Sequence, residues 1–264
     1  MSAAAIPLLG ASSTVARSDA APYGPFKMGV QSYSLRNFDR DKMLQAVAGM
    51  GLKYLEAFNS HFPVTQDAKT IGDYRKALDA RGIELLAFGV VGFGKDAGRN
   101  RALFEYAKAM GIETLTANPT PEAMNQLESL TGEFGINIAI HNHGPGARFD
   151  KIKDAFDAVS GRSERIGVCI DTGHYIRSDE DPVHAIRVFT TRVHAMHVKD
   201  VTSDKKPTEL GKGALDLKGM LQALKEIGFR GVMALEYEEH PDDPVPYMNE
   251  CLAAIRKAVA DAGL

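Results

Sequence analysis

Apolar positions along the chain follow two alternating rhythms. Stretches with apolar residues three and four apart, as on one face of a helix, give way to short, almost continuous apolar runs. The changeover often falls at a glycine: Gly51, Gly82, Gly111, Gly135 and Gly228 each stand between a helical pattern and an apolar run. A glycine at a helix end accepts the left-handed conformation that stops the helix. The runs that follow are short and β-rich, as strands buried on both faces are. They predict strands at 28–34, 54–58, 83–90, 114–117, 136–141, 166–171, 193–198 and 232–236. Helical patterns lie at 39–50, 70–80, 101–110, 121–134, 149–159, 182–189, 217–227 and 246–260.

Strict alternation of strand and helix predicts parallel βαβ units. Eight units of about 30 residues suit a closed (β/α)8 TIM barrel, an α/β fold, in one domain over 26–264. An open doubly wound sheet is the other arrangement of such units. It would usually carry a glycine-rich phosphate loop after the first strand, and no glycine lies between Ser34 and Asp39. Residues 1–25 stand outside the repeat. They are small, apolar and poor in charge, like the apolar and cleavage regions of an export signal without its basic start. They read either as a disordered tail or as the remnant of such a signal. The second reading places the protein in the periplasm or outside the cell, the first in the cytoplasm.

Composition narrows the function classes. The chain has 264 residues, 44% of them hydrophobic and 25% charged, which suits a globular protein and not a disordered one. Thirty-one basic against 34 acidic residues give a net charge of −3, with no basic cluster for a phosphate backbone. No apolar stretch is long enough to span a bilayer. Two cysteines, Cys169 and Cys251, exclude a disulfide scaffold. The expected partner is a small molecule, with neither nucleic acid nor membrane involved, and a homo-oligomer is compatible with the sequence.

In such a barrel the chemistry belongs at the C-terminal ends of the strands. Gln31 and Tyr33 end the first predicted strand, Glu56 the second, and Asn118 follows the fourth. The fifth ends in His141, Asn142 and His143, the sixth in Asp171 and His174, the seventh in His197, Lys199 and Asp200, the eighth in Glu236 and Glu238. Any one of these is unremarkable as a cap or loop residue. Four ligand-type residues on adjacent strands at one rim are not. His141, Asp171, His197 and Glu236 would converge on one divalent cation, for which mixed nitrogen and oxygen donors favour Mn, Fe, Co, Ni or Zn over Mg. His194, offset from His197 by three residues, would point to the other face as a packed or capping group. Cys169, on the Asp171 face of its strand, reads as a packing thiol. His61 reads as a surface loop residue, and Phe58, Phe88 and Phe93 with Tyr33 as either pocket wall or core.

The segments around Asp171–His174, His197–Asp200 and Glu236–Glu238, with the Gly211–Gly213–Asp216 spacing, resemble the xylose isomerase-like barrels, in particular the sugar phosphate isomerase/epimerase superfamily. That superfamily includes ketose 3-epimerases, inosose dehydratases and endonuclease IV enzymes. The resemblance implies one divalent metal held by a Glu after strand five, an Asp after strand six, a His after strand seven and a Glu after strand eight. The last three carry over to Asp171, His197 and Glu236. The first does not: the chain has His141-Asn142-His143, as in one branch of the superfamily, so His141 takes the ligand position. The implied reaction is proton abstraction next to a carbonyl of a carbohydrate, by an isomerase or epimerase. Glu236, His143, His174 and Glu56 are then the candidate catalytic groups, and Gln31, Tyr33, Asn118, Lys199 and Asp200 would bind substrate. With one of the paired glutamates replaced by histidine, β-elimination from a keto-sugar, cyclitol or 3-keto-glycoside is the alternative. An abasic-site endonuclease and a non-catalytic sugar-binding barrel are the remaining readings.

Overall fold

A computed structural model describes residues 22–264. Eight parallel strands close into a barrel: β1 (Lys27–Gln31), β2 (Tyr54–Ala57), β3 (Glu84–Phe93), β4 (Thr114–Pro119), β5 (Asn137–His141), β6 (Ile166–Asp171), β7 (Val193–Val198) and β8 (Val232–Leu235). Each strand pairs with its neighbours in sequence, and β8 closes the ring on β1, with Lys27 opposite Val232. The helices follow the predicted patterns: α1 (Arg40–Gly49), α2 (Ala68–Asp79), α3 (Ala97–Met110), α4 (Met124–Phe134), α5 (Ile152–Val159), α7 (Pro182–Phe189), α8 (Leu217–Glu226) and α9 (Val245–Asp261). A further short helix, α6 (Thr172–Arg177), was not expected and begins directly at the end of β6. All five glycines of the repeat have left-handed φ, between 62° and 77°, so the punctuation read from sequence is the backbone geometry that ends each helix.

Strand alternation sorts the side chains. Outward residues such as Ile138, Val168, Ile170, Met196 and Met233 pack under the helices in one large core. Inward residues are small where the barrel is filled: Ala87, Ala139, Cys169, Ala195 and Ala234 form a separate cluster. One step further along the same inward faces stand His141, Asp171, His197 and Glu236. Cys169 is fully buried in this interior layer, as expected of a packing thiol.

Described residues on either side of the expected boundary at 26 pack against the barrel. Tyr23 and Phe26 are buried, and the Tyr23 hydroxyl accepts a hydrogen bond from Arg256 of α9 at 2.8 Å. The remainder of the expected signal remnant, up to residue 21, lies outside the described residues. Among the described residues, no helix is long and apolar enough to cross a membrane.

Candidate active site and metal centre

Six helices begin at an aspartate whose carboxylate accepts a backbone N–H: Asp39, Asp67, Asp96, Asp171, Asp181 and Asp216. Such caps satisfy donors that the first turn leaves unpaired. Asp171 alone among the six is buried. Its Oδ1 accepts from His174 N at 2.7 Å. Its Oδ2 is left over and turns into the barrel mouth. Capping therefore aims this carboxylate.

Four side chains meet there. Donor atoms of His141, Asp171, His197 and Glu236 all lie within 4.8 Å of one another, and all four residues are buried. His197 Nδ1 is 2.9 Å from both His141 Nε2 and Glu236 Oε2, and His141 Nε2 is 3.4 Å from Asp171 Oδ2. Asp171 Oδ2 and Glu236 Oε2 accept no hydrogen bond, although Lys199 Nζ stands 3.0 and 2.9 Å from them. Buried carboxylate oxygens without donors are costly unless a cation compensates them. Two imidazoles and two carboxylates so arranged fit a divalent ion with borderline ligand preference.

Strand ends are locked by side chains that the sequence did not reveal as functional. Asn142 Nδ2 donates to Asp171 O at 3.0 Å, and Asn142 Oδ1 accepts from Asp171 N at 2.8 Å, an amide bridge that extends the β5–β6 pairing past the rim. Thr172 does the same for the next pair: its hydroxyl donates to Lys199 O at 2.6 Å and accepts from Lys199 N at 3.0 Å. Gly173 is what lets Lys199 pass, since a Cβ there would stand 2.7 Å from Lys199 Cγ.

Electrostatics divides the cluster. Burial pushes the His141 pKa down to about 3, against the pull of Asp171. Burial also lowers His143 and His174, which favours the neutral form of both rings. His197 goes the other way. Burial opposes its charge, but the Glu56 and Glu236 carboxylates beside the ring outweigh it and raise the pKa well above the ordinary value. Lys199 is held charged against burial by Asp171, Glu236 and Glu238. Burial likewise works against the Asp171 and Glu236 carboxylates, yet nearby cations keep both below the usual range.

A cavity of about 250 Å³ opens above the cluster, lined among others by Gln31, Tyr33, Phe58, His143, His174 and Lys199. Tyr33 and Phe58 meet edge to face at 5.0 Å as one wall. Arg36 lies over the Tyr33 ring and donates to Glu238 O at 2.6 Å, tying the rim of β1 to that of β8. A larger hollow of about 320 Å³ lies at the opposite end of the barrel, near Glu113, His194 and Arg230. It contains none of the clustered ligand groups.

Three expected site residues stand elsewhere. Asn118 is exposed, because β3 and β4 continue pairing past the rim to Phe93 and Pro119, and it does not line the cavity. Asp200 is buried and committed to backbone. It accepts from Val201, Gly211, Gly213 and Leu215 N–H groups at 2.9 to 3.1 Å, which folds 201–215 into place. The glycine motif there is thus a clamp, with Asp216 capping α8. Glu56 is fully buried behind His197, away from the cavity lining. Phe88 and Phe93 belong to the core. His61 is no surface residue: it is buried, with Nδ1 at 2.9 Å from Ser32 Oγ and Nε2 at 3.0 Å from Phe38 O.

The model of the xylose isomerase-like TIM barrel family matches residues 44–258. The chain belongs to that family. An inosose dehydratase from Geobacillus thermodenitrificans is 27% identical over 149 residues, which is 48% of this chain and 48% of the relative, so the match spans about half the length of each. An inosose dehydratase from Clostridium botulinum is 24% identical over 74% of this chain and 71% of its own length. The crystal structure of an uncharacterized protein from Parabacteroides distasonis superposes with a TM-score of 0.70 at 27% identity, covering 88% of this chain and 98% of that one. A D-psicose 3-epimerase matches with the same TM-score at 16% identity, a likeness of fold alone. Relatives of this chain are therefore enzymes, dehydratases among them.

Proposed function

We propose that the protein is a divalent-metal-dependent lyase that removes the proton next to a carbonyl of a small keto-sugar or cyclitol and expels a β-oxygen. His141, Asp171, His197 and Glu236 would hold the ion. When bound, it supplies Lewis acidity that polarises a carbonyl oxygen, worth several kcal/mol of developing charge. The protein's own groups do the rest. Tyr33 and Phe58 offer an apolar face to a ring, and Gln31 a polar contact. The Lys199 ammonium, at the cavity wall, would face negative charge as it develops on a substrate oxygen. A neutral imidazole, His143 or His174, accepts the carbon-bound proton. The C–H electron pair becomes the new double bond, the β C–O bond breaks, and the imidazolium returns the proton to the departing hydroxyl as water.

The observation that carries this reading is the asymmetry of the mouth. Epimerisation by paired carboxylates needs one on each face of the substrate. Here carboxylates stand on the β8 side, at Glu236 and Glu238, and neutral imidazoles on the β5–β6 side, at His143 and His174. One proton carrier that both takes and returns a proton suffices for elimination. The relatives named inosose dehydratase support the same chemistry.

A second reading rests on the same asymmetry: Glu236 and an imidazole on opposite walls can exchange a proton across a substrate, which is isomerisation or epimerisation. Metal-loaded protein incubated in D2O with keto-cyclitols and 3-keto-glycosides separates the two. Elimination gives an enone absorbance, with loss of water from a keto-cyclitol or release of the aglycone alcohol from a 3-keto-glycoside in the mass spectrum. Epimerisation gives deuterium at the carbon beside the carbonyl with no loss of mass as water. Neither change in any metal form would refute both and leave a sugar-binding barrel.

A further inference from the structure

Glu56 is a fully buried carboxylate at this end of the barrel that no step above uses. It comes from β2, on the opposite side of the ring from the metal-ligand strands, and faces inward beside Gln31 of β1. Neither side-chain oxygen, nor His197 Nε2, has a well-aligned hydrogen-bond partner, and no part of Glu56 is exposed. A carboxylate in that position is expensive unless a cation or a strong donor faces it. One group does: His197 Nε2, 3.0 Å from Glu56 Oε2. The other nitrogen of the same ring, Nδ1, faces Glu236 and His141. The ring therefore has one nitrogen in the ligand cluster and the other against Glu56.

We propose that Glu56 is a positioning residue: it takes the Nε2–H of His197, fixes the ring's tautomer, and so presents Nδ1 as the metal-ligating atom. The proposal rests on the metal centre proposed above and replaces the expectation that Glu56 moves protons on the substrate. Its physical basis is general. An imidazole that donates one N–H to a carboxylate is held in orientation and made a stronger donor at its other nitrogen, and loss of such a partner typically weakens metal binding by roughly 10- to 100-fold. Glu56 has no path to a substrate, because His197 stands between it and the ligand cluster and it does not line the cavity. The Cys169 thiol also lies against His197, and burial raises its pKa to about 11, so it faces the ring as a neutral, packed group.

The test is Co2+ titration of metal-free protein, read by affinity and by the visible absorption of the bound ion, for wild type, Glu56→Leu, Glu56→Gln and Cys169→Ala. Circular dichroism checks the fold of each. Wild type should bind about one equivalent. Glu56→Leu should bind roughly 10- to 100-fold more weakly with an altered visible band. Glu56→Gln, whose amide oxygen still accepts the Nε2–H, should recover part of the affinity. If the leucine variant fails to fold, the glutamine variant alone must show a weakened affinity and a shifted band. Cys169→Ala should change neither readout beyond about twofold. Folded Glu56 variants that bind Co2+ like wild type, with the same band, would overturn the positioning role while leaving the metal centre intact. Wild type that binds no Co2+ would instead overturn the metal centre. Equal weakening in Cys169→Ala would assign the effect to packing around the ring and overturn the role of the carboxylate.

Discussion

The two halves of the barrel mouth are built from the same unit and carry different burdens. From β5 to β8, strand ends deliver His141, Asp171, His197, Lys199 and Glu236 into one buried cluster of charges and imidazoles. From β1 to β4, the rim delivers Gln31, Tyr33, Phe58 and Val90, which shape a cavity wall, and one buried carboxylate, Glu56, that serves the other half through His197. Chemistry is thus concentrated on one arc and shape on the other. The barrel allows this because each strand end is an independent position at a common rim. It also predicts that substitutions on the two arcs fail differently.

The largest difference should come from Glu236→Gln. The substitution keeps the side-chain volume and removes a carboxylate that faces both His197 and Lys199. Turnover should fall roughly 100- to 10,000-fold, the range for loss of a positioned acid–base or electrostatic group, while thermal unfolding shows a folded protein. Turnover within tenfold of wild type would mean that the chemical arc does not depend on β8.

The second difference is with pH. The raised His197 pKa means that the metal-free cluster holds a proton on that ring, and a metal must displace it. Metal affinity should therefore rise with pH through the neutral range, by about tenfold per unit if one proton is released. His141, already pushed to about 3 by burial, adds nothing to that slope. The stability of the metal-free fold follows the same signs. The His197 contribution is complete below the ordinary imidazole value and is lost as pH rises through the raised one. The contributions of Asp171 and Glu236, both held low, are complete above the ordinary carboxylate range and are lost as pH falls into strong acid. Calorimetric metal titrations between pH 6 and 8 measure the slope, and an affinity flat with pH would rule out the bound proton.

How much of this was legible in the sequence depends on which arc is asked. The barrel was readable because glycine-ended helices and apolar runs repeat at one period, and because the backbone geometry at Gly51, Gly82, Gly111, Gly135 and Gly228 is local. The cluster on β5–β8 was readable because each ligand ends an apolar strand on its inward face, so alternation alone converges them. Glu56 also ends an inward face, yet its role was not readable: which nitrogen of His197 it meets depends on packing across the barrel. Asp200 looked like a site residue because it follows Lys199, but the strand has ended there and four backbone donors of 201–215 claim its carboxylate. Asn142 and Thr172 were invisible as strand locks because their partners are backbone atoms of neighbouring strands.

The smallest effect tests the shaping arc at its edge. Asn118 follows the same alternation that places ligands on β5–β8, so position alone would bring it to the site. What removes it is the local extension of β3 and β4. Gly92 pairs with Asn118 and Phe93 with Pro119, after a register shift between Phe88 and Val91, and this carries Asn118 above the rim into solvent. A polar surface residue without a cavity contact should tolerate truncation, so Asn118→Ala should leave kcat/KM and thermal stability within about twofold and about 0.5 kcal/mol of wild type. A loss of more than tenfold in kcat/KM, with the fold intact, would mean that the β3–β4 extension closes over a bound substrate. The shaping arc would then reach further around the mouth than its cavity wall, and the division between the two halves would narrow.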